Sequence, residues 1–326
     1  MSSETLESQI TGEATIEKLP ENILLEIMRY LSMKDRCRAA RVCKQWNNIF
    51  SNDSLWRHVD LLEFPISLKA LWRLVRTRFS PRMSTLKLRC IDHIIEDPDG
   101  RYDRKKSLSD AVLKSIAARC PNLEVLHIHH CHTKNFTFES LPTSIVYLEI
   151  AHCMLKLTWM TDKQKHLPIL EHLKLINCYW VRDSVVLDIS VWRNLKHLSI
   201  RNSAALVTIS GFITIAINLH ELEYLNLCNT YVDDYAVYHV TQNLKKLKEL
   251  CLAKCHMVTD KGVVKIAMGL PVLNKLDISH CWRVTMKALK TLFGGSIREL
   301  VVVGLFNLSE EEKQALKRGF AVTRFR

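Results

Sequence analysis

Glycine is scarce in this chain, with nine among 326 residues. So few leave little room for a loop that cradles phosphate, and none is found. No Ser/His/Asp or Cys/His arrangement with catalytic logic is present, so the chain is not expected to be an enzyme. A structural zinc site would want clustered Cys-x2–4-Cys pairs, and the nearest approach is Cys251-x3-Cys255, whose first member is expected to face outward and its second inward, so no metal is expected there. The first fifteen or so residues are polar and lack the apolar stretch of a secretory signal. Residues 202–220 contain no Asp, Glu, Lys or Arg. Ser203, Thr208, Ser210, Gly211, Thr214 and Asn218 interrupt them, however, and the run falls short of the roughly 18 apolar residues of a membrane span. A buried segment is expected there, and no membrane partner.

What is present is ordinary globular composition, 48% hydrophobic and 25% charged, enough for a large core. The net charge of +12 favours an acidic partner without choosing among a phosphoprotein, an acidic protein face and nucleic acid. The basic residues are dispersed and no recognition motif accompanies them, so nucleic acid is not expected. Eleven cysteines without a signal peptide argue for a reducing compartment, cytoplasm or nucleus, rather than a disulfide framework.

From residue 123 onward one pattern recurs, Leu-x-x-Leu-x-Leu/Ile-x-x-Cys. It runs Leu123, Leu126, Ile128, Cys131, then from Ile145 to Cys153 and from Leu170 to Cys178. Copies starting at Leu195 and Leu222 end on Ser203 and Thr230. Those starting at Leu247 and Leu273 end on Cys255 and Cys281, and the one from Ile297 ends on Leu305. Successive starts are 22, 25, 25, 27, 25, 26 and 24 residues apart, inside the period of leucine-rich repeats. A weaker copy begins at Met83, Leu86, Leu88.

The Leu-x-Leu core alternates with period two, as a strand buried on one face does. A helical segment follows, as at 259–267, where Val263, Ile266 and Ala267 give helical spacing and Thr259 or Asp260 is the N-cap. One unit cannot bury its own apolar face, so stacking supplies the core. The fold expected is α/β, a curved solenoid with parallel strands on its concave face. Small, buried, weakly polar residues suit the Cys position. Residues 92–107 are expected to be an exposed loop. Ser309 with Glu312 fits a capping box, so a terminal helix and residues 320–325 should close the far end.

Residues 17–62 do not fit the repeat. Leu19-Pro20 opens a helix, and Ile23, Leu24, Ile27, Met28 and Leu31 form an apolar stripe. A second segment, 34–46, carries Cys37, Ala40, Val42, Cys43 and Trp46, and Leu55-Trp56 follow. A unit of about 40 residues seldom stabilises itself, so it should lean on a partner or on the repeats. A helical cap closing the solenoid is the competing reading.

The run LPENILLEIMRYLSMKDRCRAARVCKQWNNIFSNDSLWRHVDL resembles an F-box, at its Leu-Pro opening, its apolar stripe, its Val-Cys-x-x-Trp segment and its closing Leu-Trp. Arg36 departs from it, since many F-boxes carry Leu there, which would loosen one core position. With the Cys-containing repeats, residues 17–326 are similar to the F-box/LRR-repeat proteins. The resemblance implies a small all-α F-box at 17–62, after a disordered tail at 1–16 and before a repeat domain with its cap at 63–326. It further implies a non-catalytic adaptor of an SCF ubiquitin ligase. Such an adaptor binds Skp1 directly, and Cul1 and the RING subunit through it. Carried onto this chain, the Skp1-facing residues are Leu19, Pro20, Ile23, Leu24, Ile27, Leu31, Cys43, Trp46, Leu55 and Trp56. For several of them, Trp46 and Cys43 above all, a place in the module's own core stands as an equal alternative.

Strand residues between the buried leucines point to the concave face. Its first half is basic or His-rich: Lys87, Arg89, His127, His129, Lys174, His197 and Arg201. An acidic or phosphorylated substrate segment is expected to dock there, with Tyr147 and Tyr224 as aromatic anchors. His127, His129, His130 and His132 form a metal-like cluster, but a solvated patch is the simpler reading, and no metal or other cofactor is expected. The competing function is a repeat protein that binds or inhibits a partner without any link to ubiquitin.

Overall fold

The computed structural model describes residues 19–90, 94–96, 102–104, 108–131, 136–203, 206–305 and 308–325. The expected tail at 1–16 and His132 lie outside them. Three helices form the head: α1 (Glu21–Tyr30), α2 (Met33–Ala39) and α3 (Lys44–Phe50). Pro20 sits at the N-cap of α1, where a missing N–H costs nothing. The Ser32 hydroxyl caps α2 by accepting from the Asp35 N–H at 3.2 Å.

Helical spacing turns Leu24 and Met28 inward, where they join Met33, Ile49, Phe50, Leu55 and Trp56 in one core. The Trp56 indole N–H donates to the Phe50 carbonyl at 2.8 Å. Arg36 corrects the expectation of a loosened core. Its Nε donates to the Met28 carbonyl at 2.8 Å, and its Nη1 and Nη2 donate to the Leu55 and Arg29 carbonyls at 2.9 Å each. Three charge-assisted hydrogen bonds therefore tie the end of α1 to α2 and to the turn before Trp56, where apolar packing was expected.

The strands follow as β1 (His58–Ile66), β2 (Thr85–Cys90), β3 (Ile94–Glu96), β4 (Tyr102–Arg104), β5 (Val125–His129), β6 (Tyr147–Ala151) and β7 (His172–Ile176). After them come β8 (His197–Ser199), β9 (Tyr224–Asn226), β10 (Glu249–Cys251), β11 (Lys275–Asp277), β12 (Glu299–Val301) and β13 (Val322–Arg324). All but β3 and β4 pair in chain order as one parallel sheet of eleven strands. β3 and β4 pair antiparallel with each other, so the expected loop at 92–107 contains a short hairpin. Sheet pairing begins at His58, inside the stretch assigned to the head, because Val59 and Leu61 already alternate inward.

Strand register reproduces the repeat alignment, with Leu126 opposite Leu148, Leu148 opposite Leu173 and Leu173 opposite Leu198. Helices α4 (Leu68–Thr77), α5 (Asp110–Arg119), α6 (Asp183–Ile189), α7 (Ile209–Asn218), α8 (Asp234–Asn243), α9 (Asp260–Gly269) and α10 (Met286–Leu289) lie between the strands of successive repeats. Parallel strands sit about 4.8 Å apart while packed helices need about 8–10 Å, so the sheet takes the concave side. The uncharged run at 202–220 contributes α7, whose Phe212, Ile215 and Ala216 are buried. Among the described residues no helix is long and apolar enough to cross a membrane.

At the far end α11 (Glu310–Gly319) starts on the expected capping box. The Ser309 N–H donates to Glu312 Oε2 at 2.9 Å, and the Ser309 hydroxyl accepts from the Glu312 N–H at 3.2 Å. β13 then closes the sheet.

Two ladders hold the repeats together. In each repeat the residue before the Cys position has a positive φ, between 52° and 61° at His130, His152, Asn177, Asn202, Asn229, Lys254 and His280, and 69° at Gly304. The chain thereby leaves the strand abruptly, and the next side chain satisfies the backbone this exposes. Ser203 Oγ donates to the Leu175 carbonyl and accepts from the Cys178 N–H, both at 2.9 Å. The Cys153, Cys178, Cys255 and Cys281 thiols each donate to a carbonyl of the preceding repeat at 3.1–3.4 Å. On the helix side, Asp110, Asp183, Asp234 and Asp260 accept from both the N–H and the hydroxyl of Thr137, Thr208, Thr259 and Thr285 in the next repeat.

Candidate functional site

The head presents an apolar strip that its own core does not cover. Pro20 is exposed and Ile23 is 44% exposed, while Leu19, Ile27 and Leu31 are half-buried. Steps of three or four residues place Ile23, Ile27 and Leu31 along one flank of α1, beside the Leu24–Met28 face that packs inward. Cys43 is exposed and Trp46 half-buried. Leu24, Leu55 and Trp56, expected in the same docking set, are 2%, 2% and 1% exposed. They belong to the core of the head and offer no surface to a partner. Tyr30 and Val42, 84% and 70% exposed, were not expected among the surface residues. For Tyr30 the signal was its place three residues after Ile27.

The head is packed directly on the solenoid. The Arg78 guanidinium, at the end of α4, lies over the Phe50 and Trp56 rings at 5.2 and 5.8 Å and bonds to the Ser51 hydroxyl. One continuous cluster of buried residues runs from Leu24 to Phe320, through head and repeats alike.

On the concave face, Lys87, Arg89, His127, His129, Tyr147, Lys174, His197 and Tyr224 all lie on strands and are half-buried. Arg201 differs: β8 ends at Ser199, so Arg201 sits in the following turn and is exposed. Rings from successive strands stack, with His127–Tyr147 at 5.0 Å, Tyr147–His172 at 5.7 Å, His172–His197 at 4.3 Å and His197–Tyr224 at 5.4 Å. The two predicted anchors, Tyr147 and Tyr224, thus belong to one ladder of rings that runs from His127 to Tyr224. Burial holds the His172 and His197 imidazoles below their ordinary pKa, so these two rungs are neutral at neutral pH.

The basic character of this half is accordingly narrower than the residue types imply. Lys87 is paired with Asp60 at 2.9 Å. Lys174 rests over the Tyr147 ring at 5.3 Å. Among the described residues Arg89 and Arg201 have no carboxylate partner.

Glu149, unnoticed as a site residue, sits at the centre of the first half and is 9% exposed. It accepts from His129 Nε2 and from the Tyr147 hydroxyl, each at 2.8 Å. Burial pushes its carboxyl upward, but the His127 and His129 imidazoles and the Tyr147 hydroxyl outweigh that and hold it well below the ordinary carboxylate range. The signal was available, since one 22-residue repeat added to His127 arrives at Glu149, its partner across the strands.

The chain is therefore a helical head fused to a leucine-rich-repeat solenoid, the construction of an adaptor. Residues 16–62 match the F-box-like family. F-box/LRR-repeat protein 12 of Homo sapiens is 28% identical over 277 residues, which cover 81% of this chain and 78% of that protein. Its counterpart in Mus musculus is 29% identical over 273 residues, with the same coverage. Among solved structures, a chain of the Rad7 and Elc1 complex in yeast has the same fold, with a TM-score of 0.56 at 15% identity over 94% of this chain and 87% of that one. Over most of its length the chain is thus similar to F-box/LRR-repeat proteins, with an F-box-like segment at its head.

Proposed function

We propose that this chain is the non-catalytic substrate-recognition subunit of an SCF ubiquitin ligase, working in the cytoplasm or nucleus. The head docks on Skp1, which links it to Cul1 and the RING subunit, and the concave face holds the protein to be modified. The observation that carries this reading is the strip of Pro20, Ile23, Ile27 and Leu31, of which Pro20 and Ile23 are exposed and Ile27 and Leu31 only half-buried beside the Leu24–Met28 core. A cap that only closed the solenoid would turn such residues inward.

The packing of Arg78 on Phe50 and Trp56 adds a mechanical argument. An adaptor must hold its substrate within reach of a conjugating enzyme, and a head packed directly on the repeats fixes that geometry. Of the ten residues expected to face Skp1, Leu19, Pro20, Ile23, Ile27, Leu31, Cys43 and Trp46 keep that role, and Leu24, Leu55 and Trp56 support the fold beneath them.

Co-expression with Skp1 tests the reading. The full chain should co-purify with Skp1 in equal amounts, and Ile23→Asp should abolish the complex without lowering the melting temperature. Trp56→Ala should instead unfold the head, at a cost of about 3–5 kcal/mol. No complex with the natural sequence, or one indifferent to Ile23→Asp, would refute the assignment.

A further inference from the structure

We propose that His127, His129 and Glu149 form a binding site for a divalent transition-metal ion, zinc(II) being the best match, on the concave face of the solenoid. The site stands apart from the ligase reading, because it needs neither the head nor a substrate.

Three features of the geometry carry it. The alternation of β5 puts both imidazoles on one face, and the register of β5 with β6 puts Glu149 opposite His127. One ligand atom from each of the three residues lies within 4.8 Å of the other two. Zinc bonds to nitrogen and oxygen run about 2.0–2.2 Å, so neighbouring ligands of a tetrahedral ion sit about 3.3–3.5 Å apart. His127 Nδ1 is 3.4 Å from Glu149 Oε1, already at that spacing. His129 Nε2, at 2.8 Å from the same oxygen, has to withdraw by roughly half an ångström.

The second feature is an orphan. His127 Nδ1 is buried and makes no hydrogen bond, its nearby polar neighbour being Glu149 Oε1 at 3.4 Å, so its lone pair can be given to a metal. The third is the surrounding support. The Tyr147 hydroxyl donates to Glu149 Oε2, leaving Oε1 turned toward the imidazoles, and the Tyr147 ring stacks on His127. Such outer contacts orient metal ligands elsewhere. Of the cations nearby, Lys87 is paired with Asp60, while Lys174 over the Tyr147 ring and Arg89 opposite His129 keep their charge and oppose a metal's. Two imidazole nitrogens and one carboxylate suit zinc, and three protein ligands leave a fourth position for water or for a side chain of a bound protein.

The test is titration of the full chain with zinc(II) under a non-chelating reductant, followed by cobalt(II) as a spectroscopic probe. One zinc per chain should bind, with affinity weakened about tenfold or more in His129→Asn and Glu149→Gln. Cobalt should give visible ligand-field bands without a sulfur charge-transfer band. Should Glu149→Gln fail to fold, His127→Asn with the cobalt spectrum decides in its place. Absence of zinc binding at micromolar concentration, binding indifferent to the histidine variants, or a spectrum dominated by thiolate would each overturn the proposal.

Discussion

The Arg36 guanidinium donates to the Met28 carbonyl across the junction of α1 and α2. Two further bonds from the same group reach Arg29 and Leu55, so one side chain closes the open carbonyl end of α1 and fixes the turn before Trp56. Removing it leaves three acceptors to be resolvated at a partly buried junction. Arg36→Ala is expected to destabilise the head by about 2–3 kcal/mol. Arg36→Leu should recover only part of this, because the site is shaped for a planar donor. Hydrogen exchange over residues 24–56 reads the effect locally, and exchange unchanged in Arg36→Ala would show the three bonds to be idle.

Arg36 also shows where sequence reading stops. The repeats were legible because Leu126, Leu148 and Leu173 recur at nearly constant spacing, and constant spacing becomes strand register when repeats stack. β1 escaped the same reading because its Val59 and Leu61 keep the alternation without the Leu-x-x-Leu frame. The residues of positive φ were invisible because His, Asn, Lys and Gly share that position and no single residue type marks it. In the head, helical spacing defined an apolar stripe but not which edge of it packs inward. Leu24 and Ile23 are neighbours in sequence, and only the placement of α3 and Trp56 separates core from surface.

The aspartate ladder gives a sharper stability prediction. Asp234 accepts from the Thr259 N–H at 2.8 Å, from its hydroxyl at 2.5 Å and from the Gly262 N–H at 3.0 Å. A Cβ on Gly262 would collide with the same carboxylate, so glycine is required there by close approach rather than by its backbone angles. Asp234→Ala should cost about 1–3 kcal/mol in chemical denaturation, and Gly262→Ala a similar amount. Combining them should cost less than the sum, since both act on one contact. At Asp110 burial raises the carboxyl pKa, but the Thr137 and Ser140 bonds outweigh it and the net shift is downward. Its contribution is therefore present above about pH 4, the unfolded value, and is lost as pH falls through the lower folded value. An additive Asp234 and Gly262 pair would disprove the shared contact.

Ser203 performs with a hydroxyl what Cys178 and Cys153 perform with thiols, donating to a carbonyl one repeat back. Cysteine therefore recurs here as a small donor that tolerates burial, not as a redox group or a metal ligand. Burial pushes the Cys178 thiol up to about 12, so it stays protonated and able to donate. Cys178→Ser should be nearly neutral, whereas Cys178→Val fills the space but removes the bond to the Ile150 carbonyl, at a cost of about 0.5–1.5 kcal/mol. Under native conditions a thiol reagent should modify exposed Cys43 and spare Cys178 and Cys255. Equal melting temperatures for the serine and valine variants would remove the hydrogen-bonding account.

Lys174 and Arg201 carry the prediction for the recognition face. Of the cations expected there, Lys87 already has a carboxylate and the buried His197 ring stays neutral, so the charge left for a ligand sits on Lys174, Arg201 and Arg89. The Lys174 ammonium lies over Tyr147, so an acidic group arriving from the groove meets cation and ring together. A charge-assisted bond is worth about 1.5–3 kcal/mol, and losing one by either alanine substitution should weaken capture about tenfold or more. Proteins retained by the full chain when the proteasome is blocked can be compared quantitatively between the natural sequence and Lys174→Ala with Arg201→Ala. Retention of acidic or phosphorylated proteins should fall selectively while Skp1 stays bound, because the head lies outside this face. The loss should also be mimicked by raising ionic strength, since Arg201 is solvent-exposed and screened. Undiminished capture in the double variant would leave the aromatic ladder from Tyr147 to Tyr224, rather than charge, as the recognition element.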